Sequence, residues 1–223
     1  MLYAQAGNAG LTLIVATLDF SGVIAFWHLL VIGVFIFGSL VLYALRQAPR
    51  SDRSEVAAKR VRPSMETALR AKGLRWGAPV FIRIFKEEKQ FELWVDDGKQ
   101  FKLLKTWPIC KFSGALGPKL KEGDGQAPEG FYFVPRARMN PHSRFHLSFN
   151  LGYPNSYDRA HGRTGSALMV HGNCVSIGCY AMTDPRIEEI YSLCDAALQN
   201  GQRFFRVHCF PFRMTEVNMK KHR

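Results

Sequence analysis

Residues 20–45 form a run of 26 positions without a charged side chain, and this run limits the kinds of structure that the N-terminal part of the chain can form. Its last part, residues 23–45, would make a helix of ~35 Å, which is enough to cross a hydrocarbon core of about 30 Å. Trp27 and Tyr43 lie near its two ends, as is typical of a membrane interface. We therefore predict a transmembrane or signal-anchor helix over 23–45, preceded by an N-terminal segment, residues 1–22.

A buried core helix or a cleaved signal peptide would also give an apolar run. Core helices rarely extend this far without a charge, and residues 1–19 contain no Lys or Arg. No clear cleavage site follows the run, which disfavours a signal peptide. A basic cluster follows at residues 46–62, and the positive-inside rule would keep the rest of the chain in the cytoplasm.

The formal net charge of +12 is by itself compatible with nucleic-acid binding. The excess is confined to two segments, since residues 46–75 carry +6 and residues 203–223 carry +5. A nucleic-acid-binding domain needs a basic face or a recognition helix in its folded part, and the sequence indicates neither. We expect no nucleic-acid partner, whereas the basic flanks suit an anionic phospholipid or another polyanion.

The segment of residues 46–78 predicts a basic linker. Pro49 and Pro63 interrupt it, and Ser64 is a favourable cap for a short helix over residues 65–72. With 47% hydrophobic and 22% charged residues the chain cannot be disordered as a whole. We therefore expect the folded domain to begin after this linker.

From residue 79 to residue 212 the pattern is mostly that of β-strands. Alternating or continuous apolar stretches predict strands at residues 80–86, 90–95, 100–109, 131–134, 145–149, 167–170 and 204–212. One helix is expected, capped by Thr183 or Asp184 and stopped by Asn200 and Gly201. A basic tail, residues 213–223, follows.

The reactive side chains are concentrated in residues 169–179, with the sequence Met-Val-His-Gly-Asn-Cys-Val-Ser-Ile-Gly-Cys. A cysteine becomes an effective nucleophile when an imidazole takes its proton. A strand ending at His171 and a tight return ending at Cys179 would bring these two side chains within reach. Glycines beside a nucleophile let the backbone direct N–H groups at an oxyanion.

Two other interpretations of the cysteines stay open. A metal site would use His171, Cys174 and Cys179 with His208 and Cys209, although the paired Cys-x-x-Cys spacing is absent. Free cysteines are also common as small buried hydrophobic residues, which we favour for Cys110 and Cys194. Five cysteines fit one working thiol plus up to two disulfides or four inert thiols, and no pairing follows from the sequence.

Two segments resemble the catalytic domain of the L,D-transpeptidase (YkuD-type) family. Its members carry His-Gly and then Ser-x-Gly-Cys, as in His171-Gly172 and in the residues 176–179. Upstream, the residues 123–132 (Gly-Asp-Gly-Gln-Ala-Pro-Glu-Gly-Phe-Tyr) resemble the family's Gly-Asp-x-x-Thr-Pro-x-Gly-x-Phe/Tyr, with Ala127 in place of the Thr. The resemblance covers roughly residues 79–182.

The resemblance implies a mainly β, sandwich- or barrel-like catalytic domain over 79–212 with a C-terminal helix. It implies Cys179 as the nucleophile and His171 as the proton acceptor and donor, without a metal or other cofactor. The supporting residues around the oxyanion would be Gly172, Ser176 and Gly178.

The implied substrate is the stem peptide of bacterial peptidoglycan. Cys179 would attack the carbonyl of the diaminopimelate at position three, and the acyl-enzyme would pass to an amine or to water. The first outcome is transpeptidation in cell wall biogenesis, and the second is hydrolysis. A third hypothesis, from another class, is a wall-binding module without catalysis.

This chain departs from the common family pattern. Most members separate His-Gly from the Cys by about twice this distance, have His where Ile177 stands, and have Arg where Ala181 stands. The short form resembles a branch that includes hydrolases of the diaminopimelate–lysine link between peptidoglycan and lipoprotein. His161, eighteen residues before Cys179, fits the longer spacing, but we prefer His171 because a predicted strand precedes it.

Further substrate contacts are expected in the loop before the catalytic strand, where a lid could form. Arg159 and Arg163 are candidates for clamping a stem-peptide carboxylate, and Tyr153 and Asn173 are candidates for other contacts. The implied location is the cytoplasmic membrane, through residues 23–45, with the catalytic domain in the periplasm. The basic cluster after the apolar run predicts the opposite orientation.

Overall fold

The structure is a computed structural model and describes residues 30–38 and 49–223. Residues 30–38 are helical, and the rest of the helix predicted over 23–45 lies outside the described residues, as does the segment 1–22. Within the described part of the chain no helix has both the length and the apolar character that crossing a membrane requires. Residues 49–223 belong to one compact unit.

The first helix of this unit, α1 (Asp52–Arg70), begins at a capping box. The hydroxyl of Ser51 accepts from the N–H of Ser54, and the hydroxyl of Ser54 accepts from the N–H of Ser51, so two otherwise unpaired donors are satisfied. The buried residues follow at intervals of mostly four and form one apolar stripe: Ser54, Ala57, Val61, Met65 and Leu69. This stripe belongs to the hydrophobic core of the domain.

The short helix predicted over residues 65–72 is therefore wrong in its bounds. Pro63 lies inside α1, where it removes one backbone hydrogen bond but leaves the buried stripe intact. Ser64 does not cap a helix, because its hydroxyl donates to the carbonyl of Val61 at 2.9 Å. The stabilisation from burying one face of α1 thus outweighs the tendency of Pro63 to end a helix.

Within residues 49–223, nine strands form two sheets. The first sheet has the order β3-β2-β1-β9-β4, with β1 (Val80–Phe85), β2 (Gln90–Asp96), β3 (Phe101–Pro108), β4 (Gly130–Pro135) and β9 (Phe204–Phe210). The second has the order β5-β6-β7-β8, with β5 (Met139–Asn140), β6 (Ser148–Asn150), β7 (Met169–His171) and β8 (Tyr180–Ala181). The pairs β1–β9 and β7–β8 are parallel, and the other pairs are antiparallel.

Three more helices complete the unit: α2 (Ser156–Ala160), α3 (Asp184–Gln199) and α4 (Glu216–Lys221). Helix α3 was expected from the residues at its two ends, and both ends are confirmed: Thr183 is the N-cap and Asn200 the C-cap. Its buried face contacts α1 and strands of both sheets, so α3 lies at the centre of the packing.

The predicted β-sheet domain with a helix near its C-terminal end is confirmed in part. The sheets are mixed, and the long helix α1 joins their core, so the fold is not mainly β. The strand predicted over 145–149 begins only at Ser148, because residues 145–147 belong to a loop. That loop and the ends of β7 and β8 lie together.

Candidate active site

The parallel pair β7–β8 places the two reactive side chains on one face. Val170 pairs with Tyr180 and His171 with Ala181, and one residue earlier the N–H of Met169 lies 3.4 Å from Sγ of Cys179. Cys179 immediately precedes β8, and alternate residues of extended backbone share a face, so we infer that Cys179 and His171 lie two positions apart on the same face. No hydrogen bond joins these two described side chains.

The imidazole of His171 is buried and oriented. It is 2% exposed, and its Nδ1 lies 2.6 Å from the carbonyl oxygen of Gly172. Because a carbonyl only accepts, Nδ1–H is the donor and Nε2 is left as the proton acceptor. The ring of Phe145 lies 4.7 Å from the imidazole, centroid to centroid. Burial lowers the pKa of His171, which keeps the ring neutral at neutral pH.

The thiol of Cys179 is also in its neutral form. Burial raises the pKa of Cys179, and this is opposed by the N–H of Met169 and by the positive charge of Lys119. The thiol donates to the carbonyl of Ala167 at 3.7 Å. The pair is therefore a thiol and a neutral imidazole, which suits proton transfer to a base during attack.

The turn before Cys179 is held by Ser176. Its hydroxyl donates to the carbonyl of Cys179 at 2.7 Å and accepts from the N–H of Gly178 at 3.1 Å. Gly178 has a φ of +147°, and a Cβ there would lie 3.3 Å from Leu168. A side chain at this position would therefore be strained, and the turn depends on glycine.

Gly172 is required for a different reason. A Cβ at this position would lie 2.5 Å from Oδ1 of Asp184 and 3.0 Å from the carbonyl oxygen of Phe145. The same Asp184 oxygen accepts from the N–H of Asn173 at 2.7 Å, so the first residue of α3 holds the turn after His171. Only glycine permits this close approach of loop, helix and strand.

A disulfide joins Cys110 to Cys174 and ties the turn to the segment after β3. The interpretation of Cys110 as an inert thiol is therefore wrong, whereas Cys194 is a fully buried free thiol. The pairing also removes Cys174 from the metal-ligand set considered above. Over residues 30–38 and 49–223, no group of three or more His, Cys, Asp or Glu side chains is placed to hold a metal ion.

Most other candidates in the preceding loop have structural contacts. Arg163 donates to Oδ1 of buried Asp158 at 2.8 Å, and the hydroxyl of Tyr153 donates to the carbonyl of Lys119 at 3.1 Å. Arg159 is exposed and contacts the carbonyl of Pro154. Their roles in substrate binding stay predictions, as does that of the exposed Asn173.

His161 closes helix α2 and is exposed. Its ring stacks on Tyr157 with 4.0 Å between centroids, and its Nδ1 lies 2.9 Å from the carbonyl oxygen of Tyr157. No strand precedes it. His171, at the end of β7, is thus the histidine that lies on the same face as Cys179.

The two departures from the family pattern have distinct surroundings. Ala181 is fully buried, and its N–H donates to the carbonyl of Lys111 at 2.8 Å. No cation therefore projects from the position where the family pattern has Arg. Ile177 is 91% exposed on the turn beside Cys179, so an apolar side chain borders the site.

Three contributors to the site carry no motif in the sequence. Phe145 packs against the imidazole, Lys119 opposes the rise in the pKa of the Cys179 thiol, and Cys110 fixes the turn from a distant segment. Asp184 was recognised only as a helix cap. Each acts across a long separation in the chain, and a single sequence gives no signal for such contacts.

Comparison with known proteins identifies relatives of this domain. The model of the YkuD family, described as the L,D-transpeptidase catalytic domain, matches residues 79–208. YafK of Escherichia coli strain K12, provisionally named an L,D-transpeptidase, is 53% identical over 147 residues, which are 66% of this chain and 60% of YafK. YafK of Escherichia coli O157:H7 gives the same values. The chain thus spans about 60% of the length of these curated relatives.

Comparison with solved structures finds partial similarity to two proteins. Pgp2 of Campylobacter jejuni, described as a helical cell shape determining protein, has a TM-score of 0.47 and 22% identity, over 65% of this chain and 54% of that chain. Bd1075 of Bdellovibrio bacteriovorus has a TM-score of 0.42 and 19% identity, over 65% of this chain and 52% of that chain.

Proposed function

Because the chain belongs to the YkuD family of L,D-transpeptidase catalytic domains, we propose that it is a cysteine enzyme acting on peptidoglycan stem peptides. The observation that carries the proposal is the placement of Cys179 and His171 on one face of β7 and β8. The orientation of His171, with Nε2 free, supports its role as the base. Ser176 and Gly178 hold the turn that leads into Cys179, which fixes the backbone beside the proposed nucleophile.

In the first half of the proposed reaction, Nε2 of His171 takes the proton of the Cys179 thiol. The sulfur forms a bond to the carbonyl carbon of the diaminopimelate at position three, and the carbonyl oxygen becomes an oxyanion. When the intermediate collapses, the C–N bond breaks and the amine leaves with the proton from His171. A thioester on Cys179 remains.

In the second half, an amine or water attacks the thioester and Cys179 regains its proton. An amine of another stem peptide gives a 3–3 cross-link, and water gives a free carboxylate. We propose transfer as the main reaction and hydrolysis of a diaminopimelate–lysine link as the second candidate. The exposed Ile177 and the absence of a cation at Ala181 favour the second candidate, because an acceptor peptide would find few polar contacts there.

The disulfide supports a location of the catalytic domain outside the cytoplasm. Disulfides persist in oxidising compartments such as the periplasm and are rare in the cytosol. Part of the basic cluster after the apolar run is used within the folded unit, since Arg53 and Arg60 contact other residues of the domain. We therefore propose a membrane-anchored enzyme facing the cell envelope, with residues 23–45 as the anchor.

The test is turnover of defined muropeptides by the full chain, followed by mass spectrometry. One substrate is a disaccharide tetrapeptide, and the other carries a lysine amide on diaminopimelate. A 3–3 linked dimer indicates transfer, and loss of lysine with gain of water indicates hydrolysis. In both cases the intact protein should show the acyl mass on the peptide that contains Cys179.

Cys179→Ala should lose turnover by at least 1,000-fold, since the nucleophile is removed. Cys194→Ala is the matched control and should retain turnover, because that thiol is buried in α3 away from the site. Turnover retained in Cys179→Ala would contradict the proposal. Binding of sacculi without turnover of either substrate would indicate the wall-binding module instead.

A further inference from the structure

Helix α1 lies before the residues matched by the family model and yet holds a loop beside the catalytic pair. The loop consists of residues 141–146. Nη1 of Arg53 donates to the carbonyl of Ser143 at 2.9 Å and to the carbonyl of His146 at 2.8 Å. The guanidinium of Arg53 thus donates to two carbonyls of the loop. Because this donor is charged, both hydrogen bonds are stronger than those from a neutral donor.

A second connection runs through helix α3. Glu188, which is 4% exposed, accepts from Nε of Arg60 at 2.9 Å and lies 2.7 Å from Nε2 of His146. The side chain of His146 is therefore held by α3 and α1 together, while its carbonyl is held by Arg53. A buried carboxylate between two basic side chains fixes the geometry of all three.

The loop has a strained conformation that needs this support. His146 has a φ of +68°, in a left-handed region that side-chain-bearing residues rarely adopt because it is strained. Such a conformation persists only when surrounding contacts hold it. The bonds from Arg53 and Glu188 both reach this residue.

The neighbour of the strained residue contacts the proposed base. The ring of Phe145 lies 4.7 Å from that of His171 at an interplanar angle of 32°, and the carbonyl of Phe145 accepts from the N–H of Gly172 at 3.0 Å. Any shift of Phe145 therefore moves the aromatic ring against which the imidazole of His171 packs. Misplacement by about 1 Å is enough to lower an enzymatic rate up to about 100-fold.

We propose that helix α1 positions the imidazole of His171 through Arg53 and the 141–146 loop. Arg53 is then a positioning residue, which touches no substrate and acts through Phe145. The inference rests on the proposed function for its kinetic consequence, but the placement of the imidazole is measurable without any substrate. It extends the catalytic arrangement beyond the residues that the family model covers.

The kinetic test compares three variants of the full chain in the muropeptide assay. Arg53→Ala should lower kcat about tenfold and leave KM within twofold, because the base is displaced while the substrate surface is unchanged. Arg53→Lys keeps a charged donor and should restore most of kcat. Arg70→Ala is the matched control from the same helix, since the only hydrogen bond of its described side chain is to Thr67, and kcat should stay unchanged.

The second test records the His171 ring-proton chemical shift by NMR, with the signal assigned by its loss in His171→Gln. A stacked Phe145 ring displaces this shift, so Arg53→Ala should move it towards the value of an exposed histidine. Arg53→Lys and Arg70→Ala should leave it in place. An unchanged shift in Arg53→Ala overturns the inference, whatever the kinetics show.

The two proposals can fail separately. If the wild-type chain turns over neither muropeptide, the proposed function fails, and the NMR shift still decides whether Arg53 positions the imidazole. If Arg53→Ala does not fold, Arg53→Met keeps the apolar stem and removes only the guanidinium. A folded Arg53→Met with the wild-type kcat and shift also overturns the inference.

Discussion

Burial sets the protonation state of both reactive side chains. It lowers the pKa of His171 and raises that of Cys179, so the resting pair is neutral. In many cysteine enzymes an imidazolium instead stabilises a preformed thiolate. Under the proposed function, the thiolate would form as the imidazole accepts the proton rather than before the substrate binds.

The first prediction concerns alkylation of Cys179 by iodoacetamide. Because its pKa is raised, the alkylation rate should still be increasing at pH values where a free cysteine has reached its plateau. The rate is measured from pH 5 to pH 10 by mass spectrometry of the peptide that contains Cys179, with N-acetylcysteine as the reference. A plateau at mildly acidic pH would indicate a thiolate–imidazolium pair and contradict the neutral one.

The sequence is sufficient to single out Cys179 and His171 as candidates, because their motif is local and the strand before His171 is apolar. It does not identify Phe145 or the partner of Cys174, which approach from residues far away in the chain. Arg163 shows what the sequence leaves out. A basic residue in a loop suggests a substrate clamp, which stays a prediction, and the structure adds that its guanidinium donates to the carboxylate of buried Asp158.

At the scale of elements, the residue that follows strand β1 holds a loop that lies beside the turn before Cys179. Lys86 follows the strand and is fully buried, with Nζ 3.0 Å from Glu129 and 2.8 Å from the carbonyl of Gly117. Burial lowers the pKa of Lys86, and the charge of Glu129 opposes this. The pair thus joins β1, the loop around Gly117 and the segment before β4. That loop continues to Gln126, whose carbonyl would lie 3.7 Å from a Cβ at Gly178.

The second prediction is that Glu129→Gln destabilises the domain by about 3 kcal/mol, because the ammonium of Lys86 loses its counter-charge inside the protein. Unfolding in urea measures the change. The matched control is Glu66→Gln, which removes an exposed ion pair with Arg62 within α1. That change should cost at most about 0.5 kcal/mol. Equal effects of the two substitutions would contradict the prediction.

Element types follow from the sequence more reliably than their details. Asp97-Gly98 between β2 and β3 is a pair that favours a two-residue type I′ turn. The structure has a hairpin here, but its turn has four residues, and the carboxylate of Asp97 accepts from the N–H groups of Lys99 and Gln100. A side chain thus adds to the backbone hydrogen bond between Asp97 and Gln100, and residue preferences do not distinguish the two kinds of turn.

At the scale of the whole molecule, the folding unit is larger than the family domain. Helix α1 covers the core with Val61, Met65 and Leu69, although the family model begins only at residue 79. Burying three such side chains contributes about 6 kcal/mol. This is comparable to the entire net stability of a typical domain. The sequence does not indicate this role of α1, because the helix is rich in basic residues and its apolar stripe is narrow.

The third prediction is that the fragment 79–223 does not fold cooperatively, whereas the fragment 49–223 does. Without α1 the apolar surface of α3 and the sheet edge would be exposed to water. Circular dichroism during heating and size-exclusion chromatography measure the difference. A sharp, monomeric transition in the fragment 79–223 at the temperature of the longer fragment would show that α1 is dispensable.

The disulfide has a consequence for how the chain matures. Cys174 pairs with Cys110 across 64 residues, while Cys179 is its neighbour only five residues away. In an unfolded chain the short loop closes more easily than the long one, so a thiol oxidase acting early would favour a pair between Cys174 and Cys179, the proposed nucleophile. Under the proposed function, an active molecule then requires that folding brings Cys110 and Cys174 together before the sulfurs are oxidised, or that an isomerase corrects the early product. The yield of active protein would then depend on the order of folding and oxidation as well as on the stability of the final fold.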